Sequence, residues 1–394
     1  MNPHGMATHQ GKLVFAPGIA HLPLSALRRC AARHDGESTV KSVSCLARFY
    51  AMAFAQLTFR ASLRGIEASL VTQGHRLHHH GFRPAVARHT LASANALRPW
   101  QVCVDLAQQP TGNARPFYAN EPIGPGLRET VQALDVTTID LGLSVCPWAP
   151  FRATNAAVKL HTLLDVRGSI PTFIHIRDGR MREVNVLDAL TLEPGAFHGL
   201  DRGHMDFGRP AALDEAGSFF RIRAKRGLRF KCRYSKPVDR TNTRVLCDRM
   251  GTLKVHCARQ AYPSALCRVV VTDQNGKRIT PPSNPTTPAP KIAGELYRLR
   301  WQVELCFKWI KRHLRTKAFF GTPGNAVQTR IWSAIATRVL IAIVKKRALL
   351  PHRLYKLLHV LKLTMFETTP IRQLLTTPRR SPPGDSGSEQ LVLH

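Results

Sequence analysis

Two aspartates stand at positions where a β-strand ordinarily excludes them. Asp135 lies inside the apolar run 133–138, and Asp201 follows directly after the apolar segment 197–200. Aspartate is unfavourable in strands, and burying its charge is costly unless a partner compensates it. A divalent cation is such a partner, because magnesium prefers hard oxygen ligands. Asp135 and Asp201 therefore predict a metal site on two strands.

A helix further along the chain carries a third carboxylate. At about 100° per residue, its apolar side chains fall on one arc that must face a core: Leu296, Leu299, Val303, Cys306, Phe307, Ile310 and Leu314. The adjoining stripe holds one acid, Glu304, with Tyr297, Arg300, Lys308 and Lys311. Taken alone, this stripe is also what a solvated face with ion pairs four residues apart would look like. Together with the two aspartates, Glu304 predicts a metal pair.

Four other aspartates compete for this role. Asp140 lies five residues after Asp135, nominally on the opposite face of the same strand. We interpret Asp165, at a strand end, and Asp178, in a turn, as structural. Asp188 lies in a segment, 185–192, whose pattern indicates a helix.

The chain is strongly basic. Its 394 residues hold 57 Lys and Arg against 25 Asp and Glu, a formal net charge of +32. This indicates a polyanionic partner, with nucleic acid first and an anionic membrane surface second. A basic composition without a specific partner is the alternative. The apolar run 331–344 contains Arg338 and ends in a basic triplet, which predicts a buried helix and not a membrane span.

Targeting signals and cysteine usage point to the cell interior. The N-terminus lacks the charged-then-apolar order of a secretory signal. The nine cysteines are scattered, with no C-x-x-C pair, as is typical of a reduced cytosolic protein. We therefore expect a cytoplasmic protein that is not associated with a membrane.

The pattern along the chain predicts an α/β protein with helical segments at both ends. Residues 1–20 are expected to be loose, and 21–125 to form a small helical domain. This domain is either a DNA-binding unit of helix-turn-helix type or a helical cap on the main domain. Its predicted helices lie near 46–57, 63–71 and 86–97. The first part of a mixed sheet is predicted in 126–220, with strands at 132–141, 158–166, 171–176 and 196–200.

A basic, β-rich insertion is predicted at 221–290. Its segment 221–278 holds 16 basic and 3 acidic residues. Five prolines in ten residues at 281–290 exclude a central strand and predict a linker or a distorted sheet edge. The helix that carries Glu304 and further helices follow in 291–375, before a disordered tail at 376–394.

The residues around Glu304 form a spaced signature. Tyr297-x2-Arg300-x3-Glu304-x6-Lys311 resembles the Y-x2-R-x3-E-x6-K signature of the DDE transposases of the fourth insertion-sequence family. Asp135, in a D-x-T-T context, and Asp201, in a D-R-G context, resemble that family's first and second catalytic aspartates.

The resemblance implies both a fold and a reaction. The fold would be a ribonuclease-H-like catalytic core with a β-rich insertion, plus a helical N-terminal domain and a helical C-terminal region. The protein would cut the ends of its insertion sequence and join the 3′-hydroxyl ends to target DNA by two-metal phosphoryl transfer. Asp135, Asp201 and Glu304 would be the catalytic and metal-binding residues. The cofactor would be Mg²⁺, or Mn²⁺ in its place.

The resemblance also implies partners and DNA contacts. Tyr297, Arg300, Lys308 and Lys311 would bind DNA, with arginine suited to bidentate phosphate contacts and lysine to point-charge contacts. The remaining basic surface, mainly 221–278, would add salt-dependent affinity for the duplex. The partners would be the element's terminal inverted repeats and target DNA, on which the protein acts as a homodimer. The resemblance also implies a bacterial cytoplasmic protein associated with the nucleoid.

Some positions depart from the family pattern. Val136 stands where a small polar residue is usual, Arg182 and His204 interrupt recognisable runs, and 279–290 is rich in proline where a strand ending in Asn-type residues is expected. These departures favour one alternative, an inactive DNA-binding transposase remnant. A metal-dependent nuclease of the same fold is a second alternative, which the spaced signature disfavours. Trp301 and Trp309 either stack on an unpaired base or pack in the core, and we prefer packing.

Overall fold

The computed structural model describes a defined part of the chain, and the statements on structure concern that part. It comprises residues 24–38, 40, 42–60, 62–72, 86–123, 129–141, 146–152, 155–179, 183–201, 206–222, 228–239, 245–272, 278–279, 282–284, 301–314, 321–352, 354, 356–357 and 360–361.

In the sequence, helices lie before, between and after the strands of one large sheet. Those before it are α1 (Leu24–Arg33), α2 (Cys45–Thr58), α3 (Leu63–Thr72), α4 (Arg88–Leu97) and α5 (Gln101–Tyr118). Later helices are α6 (Gly208–Glu215), α7 (His256–Ala261), α8 (Trp301–Leu314) and α9 (Gly324–Arg347). The helices predicted at α2, α3 and α4 are confirmed. We did not predict α1 or α5, and α5 holds two internal prolines, Pro110 and Pro116, which ordinarily signal a helix break.

Eleven strands of the described residues form one mixed sheet, which confirms the predicted α/β class. They are β1 (Val131–Leu141), β2 (Pro150–Arg152), β3 (Asn155–Asp165), β4 (Ile170–Asp178), β5 (Phe197–Leu200), β6 (Phe219–Ile222), β7 (Phe230–Lys236), β8 (Val245–Leu253), β9 (Leu266–Thr272), β10 (Arg278–Ile279) and β11 (Pro282–Ser283). The order is β2-β3-β1-β5-β6-β11-β9-β8-β7, with β4 on β3 and β10 on β9. Strands β1, β5 and β6 run parallel, and β3 is antiparallel to β1. The helix expected at 185–192 is a 3₁₀ segment at Glu183–Ala189.

The early helices share one hydrophobic core with the sheet. This core joins Phe54 of α2, Ile139 of β1, Val303 of α8 and Ile331 of α9, each 0% exposed. Such packing is what a helical cap on the main domain predicts. DNA binding by these helices stays a prediction.

The longest helix, α9, is a core helix. By length and composition it is apolar enough to cross a membrane, but 94% of its most apolar stretch is buried inside the protein. Its last turn is basic, with Lys345, Lys346 and Arg347, which suits the negative end of the helix dipole. The prediction of a buried helix with a basic end is confirmed.

The proline-rich segment contains a central strand, so the prediction of a linker or sheet edge is wrong for residues 282–284. Ser283 pairs with Arg221 of β6 on one side and with Cys267 of β9 on the other. Pro282 is the first residue of this two-residue strand, where its missing N–H is tolerated. Asn284 then donates from Nδ2 to Asp214 Oδ1 at 2.8 Å and accepts from the Phe220 N–H at 3.2 Å. The insertion is thereby continuous with the core sheet. Residues 281 and 285–290 lie outside the described part.

A buried histidine on β5 predicts acid sensitivity of the fold. His198 is 1% exposed, and burial lowers its pKa from 6.5 to about 4, with Glu193 acting in the opposite direction. Protonation therefore favours the unfolded chain, and stability is lost as the pH falls from 6.5 towards 4. At pH 5 the expected loss from this group is about 2 kcal/mol.

Denaturant unfolding of wild type and His198→Gln at pH 7 and pH 5 tests this. The variant cannot titrate at this position, so its stability should fall less over the interval, by about that 2 kcal/mol. Equal pH dependence in the two proteins would show that His198 is not held neutral.

Candidate active site

Parallel pairing of β1 with β5 places the first two predicted carboxylates side by side. Leu134 pairs with Leu200, and this is the last pair between the two strands. Asp135 and Asp201 are the residues that directly follow this pair in the sequence. Neighbouring strands lie about 4.8 Å apart, so the two carboxylates start from adjacent backbone positions on the same face. Asp135 is 6% exposed, and Asp201 is half-buried.

That face of the sheet is the one covered by helices. Alternation along β1 puts Val131, Ala133, Asp135 and Ile139 on one side, and the three apolar residues among them belong to the core shared with α8 and α9. Asp140 is exposed and lies on the other side by the same alternation.

Two neighbours of the aspartates have defined roles. Val136 points to the face opposite Asp135 by alternation, and its backbone N–H donates to Asp135 Oδ1 at 2.8 Å. The substitution at Val136 therefore does not displace the carboxylate. Asp165 accepts from Arg115 Nε at 3.3 Å and from the Arg167 N–H at 3.0 Å, and burial raises its pKa while those two arginines lower it. Asp165 is thus a buried structural carboxylate.

The third carboxylate lies on α8, which packs over β1. Val303, Cys306, Phe307 and Ile310 are at most 4% exposed, which confirms the predicted apolar arc for these four residues. Leu296 and Leu299 lie outside the described residues. On the adjoining stripe Glu304 is half-buried, while Lys308 and Lys311 are exposed. Tyr297 and Arg300 lie outside the described residues, as do Arg182 and His204.

Two contacts fix α8 against its neighbours. Ser169 Oγ donates to Gln302 Oε1 at 2.8 Å, next to the start of the helix. The guanidinium of Arg338, on α9, lies 5.4 Å from the ring centroid of Trp309, a cation–π contact. Trp309 is 4% exposed, so the preferred packing role is confirmed. Sequence reasoning missed Gln302 and Arg338 as positioning residues; the only signal was the charge of Arg338 inside an apolar run.

A further group of ion pairs lies at the start of α6. Arg209 of α6 donates to Asp188 at 2.7 and 2.8 Å and to Asp206 at 2.9 Å. Asp206 also accepts from the Gly208 N–H at 3.0 Å at the start of α6. Asp188, one of the competing carboxylates, is therefore paired with Arg209.

The carboxylates of Asp135, Asp201 and Glu304 are suitable ligands for a hard cation, although the three do not lie close together. Carboxylate oxygens are the ligands that magnesium prefers, and Asp135 with Asp201 presents two such groups on one face. Within the described ranges, however, no group of three or more His, Cys, Asp or Glu side chains is close enough to hold a metal ion. Glu304 thus lies on the helix over the same strand without joining the two aspartates.

Comparison with known families decides the class of protein. A family model described as a transposase DDE domain matches residues 128–340, more than half of the chain. The chain belongs to the DDE transposase family. A second model, described only as a domain of unknown function, matches residues 10–83. The assignment to the fourth insertion-sequence family stays a prediction.

Relatives of this DDE transposase carry matching descriptions. A protein of Sinorhizobium fredii described as transposase y4zB is 30% identical over 258 residues, which are 64% of this chain and 70% of the relative. A protein of Geobacillus stearothermophilus described as the transposase for insertion sequence element IS5377 is 28% identical over 216 residues, 54% of this chain and 55% of the relative. A cryo-electron microscopy structure of the piggyBac transposase in a synaptic complex with hairpin DNA aligns with a TM-score of 0.40 and 9% identity, over 96% of this chain and 84% of that one.

Proposed function

We propose that this DDE transposase cuts the ends of its insertion sequence and joins the freed 3′-hydroxyl ends to target DNA. The observation that carries the proposal is the adjacency of Asp135 and Asp201 on the face of the sheet covered by α8, the helix of Glu304. The ribonuclease-H-like core is part of the proposal. It is supported by the strands β4, β3 and β1, which run antiparallel beside the parallel strands β5 and β6.

Asp135, Asp201 and Glu304 would hold Mg²⁺. When bound, the metal supplies Lewis-acid stabilisation of the charge that develops on the phosphate oxygens. The helix stripe supplies the complementary binding groups, because Lys308 and Lys311 are exposed beside Glu304 and can contact phosphates.

The reaction then needs no covalent link between protein and DNA. Water displaces the 3′ oxygen of the cut phosphodiester. The released 3′-hydroxyl then attacks a phosphorus of the target strand and displaces the 3′ oxygen of that strand, so one P–O bond breaks for each one formed. Two ends must be joined to one target, so we propose that the protein acts as a homodimer on DNA. Tyr297 and Arg300 would add contacts to the terminal phosphates.

Strand transfer in vitro tests the proposal. Purified protein would be incubated with labelled duplexes that carry the element's ends, with Mg²⁺, beside Glu304→Ala. A matched control is Glu215→Ala, which removes another helix-borne glutamate, exposed on α6. We expect 3′-ended cleavage and joined products from wild type and Glu215→Ala, and neither product from Glu304→Ala.

Two other outcomes would favour the alternatives. Duplex that is bound but never cut, with Mn²⁺ as well as Mg²⁺, would identify an inactive DNA-binding remnant. Cleavage without joined products would identify a nuclease of the same fold.

A further inference from the structure

The edge strand β7 is the most exposed cationic element of the described insertion. Every residue from Lys231 to Lys236 is exposed, and among the described strands β7 pairs with β8 alone, at one end of the sheet order. The described ranges 228–239 and 245–261 hold seven Lys and Arg against two Asp. One of these, Asp248, is 2% exposed and accepts a hydrogen bond from the Cys267 thiol at 3.1 Å.

A β-bulge brings the functional side chains of β7 to one face. Cys232 pairs with Gly251, and Tyr234 pairs with Met250, so Arg233 is an extra residue in β7. Without it, Lys231 would face away from Tyr234 and Lys236. With it, Lys231, Tyr234 and Lys236 stand opposite alternate residues of β8, which are Thr252, Met250 and Asp248. The bulge therefore places two cations and an aromatic ring together.

The bulge depends on a glycine in the partner strand. A Cβ atom on Gly251 would lie 2.0 Å from the Lys231 carbonyl oxygen and 2.8 Å from the ring of Phe230. No other residue allows β7 to approach β8 this closely. The close approach of β7 to β8 therefore requires glycine at position 251.

The bulged face is the same face that carries the two aspartates. A single row of directly paired residues crosses the sheet, and paired residues share a face. The row is Ala133, Gly199, Arg221, Ser283, Cys267, Met250 and Tyr234. Asp135 is two residues beyond Ala133, and Asp201 is two residues beyond Gly199. Six strand spacings separate β1 from β7, a path of roughly 29 Å along the sheet. Because the sheet twists, the direct distance is at most this length, or about nine base pairs at about 3.4 Å each.

We propose that Lys231, Tyr234 and Lys236 form a sequence-independent contact for duplex DNA, within about nine base pairs of the cut phosphate. The two lysines neutralise phosphates, and Tyr234, 53% exposed, packs on the backbone between them. The inference rests on the proposed function for the choice of DNA as the polyanion. A second protein strand does not fit this edge, because its cationic side chains oppose pairing with another copy of β7.

Salt-dependent binding tests the contact. We expect Lys231→Ala/Lys236→Ala to lower the slope of log affinity against log salt by about 1.8, since each phosphate contact contributes about 0.9. The loss should be the same for element ends and for random duplex. The matched control is Arg177→Ala/Lys356→Ala, which removes two exposed cations from other surfaces. Tyr234→Ala should weaken binding without changing the slope, because it removes a contact but no ion.

Hydroxyl-radical footprints locate the contact. The lysine double variant should lose protection at one site within about nine base pairs of the cut and keep protection at the cut itself. A wild-type salt slope in this variant would overturn the assignment, as would tighter binding to single strands than to duplex. If wild type shows the contact but never cuts, the proposed function fails and the contact stands. If wild type cuts and the variant keeps its slope, the contact fails and the proposed function stands.

Discussion

Replacing Asp135 or Asp201 by asparagine is expected to abolish strand cleavage and to leave DNA binding intact. The two carboxylates start from adjacent backbone positions on one face, and Asp135 is nearly inaccessible to solvent, so neither residue is a surface charge. Asparagine keeps the shape and removes the charge that a cation would require. We expect each variant to lose at least about a thousandfold in cleavage rate, or about 4 kcal/mol of transition-state stabilisation. Single-turnover cleavage of a labelled element end measures this.

Asp140→Asn is the matched control, because it makes the same change on the same strand. Asp140 is exposed on the other face, and its variant should cleave at the wild-type rate. Mn²⁺ binding followed by electron paramagnetic resonance gives a second readout that does not depend on turnover. Asp135→Asn should weaken Mn²⁺ binding and Asp140→Asn should not. Wild-type cleavage by Asp135→Asn would remove this residue from the site.

Replacing Gly251 by alanine is expected to destabilise the protein, although the same change usually stabilises a strand or helix. The added methyl would lie 2.0 Å from the Lys231 carbonyl oxygen, which is backbone and cannot rotate away. Strands β7 and β8 must separate at the bulge, at a cost of at least about 3 kcal/mol. Denaturant unfolding of the variant measures the loss.

Gly112→Ala provides the contrast. Gly112 lies inside α5, and a Cβ there would meet nothing within 4 Å. Its replacement should stabilise the helix by about 0.5–1 kcal/mol. If Gly251→Ala were as stable as wild type, β7 could not approach β8 as closely as the structure places it. In that case Lys231, Tyr234 and Lys236 would not share one face of the sheet.

Local patterns were sufficient to predict most elements, including those next to or within which the three candidate carboxylates lie. Apolar residues alternate in β1 and recur every 3.6 residues in α8 because one face of each element is buried. Both elements could therefore be predicted from the sequence. The positions of Asp135 and Asp201 on apolar strands and of Glu304 on a polar stripe followed from the same patterns. Helix α5 was not predicted, because its internal prolines are a local signal for a helix break. In the folded protein, tertiary packing outweighs that signal.

The strand at Pro282 could not be predicted from the local sequence. Its proline content is a correct argument against a long central strand, but a two-residue strand needs only the backbone groups of Ser283. Whether such a strand forms depends on β6 and β9, which lie earlier in the chain. No window of sequence around Pro282 contains that information.

The sequence by itself determined that this is a basic α/β protein with two strand-borne aspartates and a helix-borne glutamate. Only the tertiary structure decided that β1 and β5 pair in the register that makes Asp135 and Asp201 neighbours. It also decided that the bulge at Arg233 turns Tyr234 and Lys236 to the face of Lys231. The physical reason is that strand register is set by hydrogen bonds and packing between residues far apart in the chain, whereas burial periodicity is a property of each segment alone.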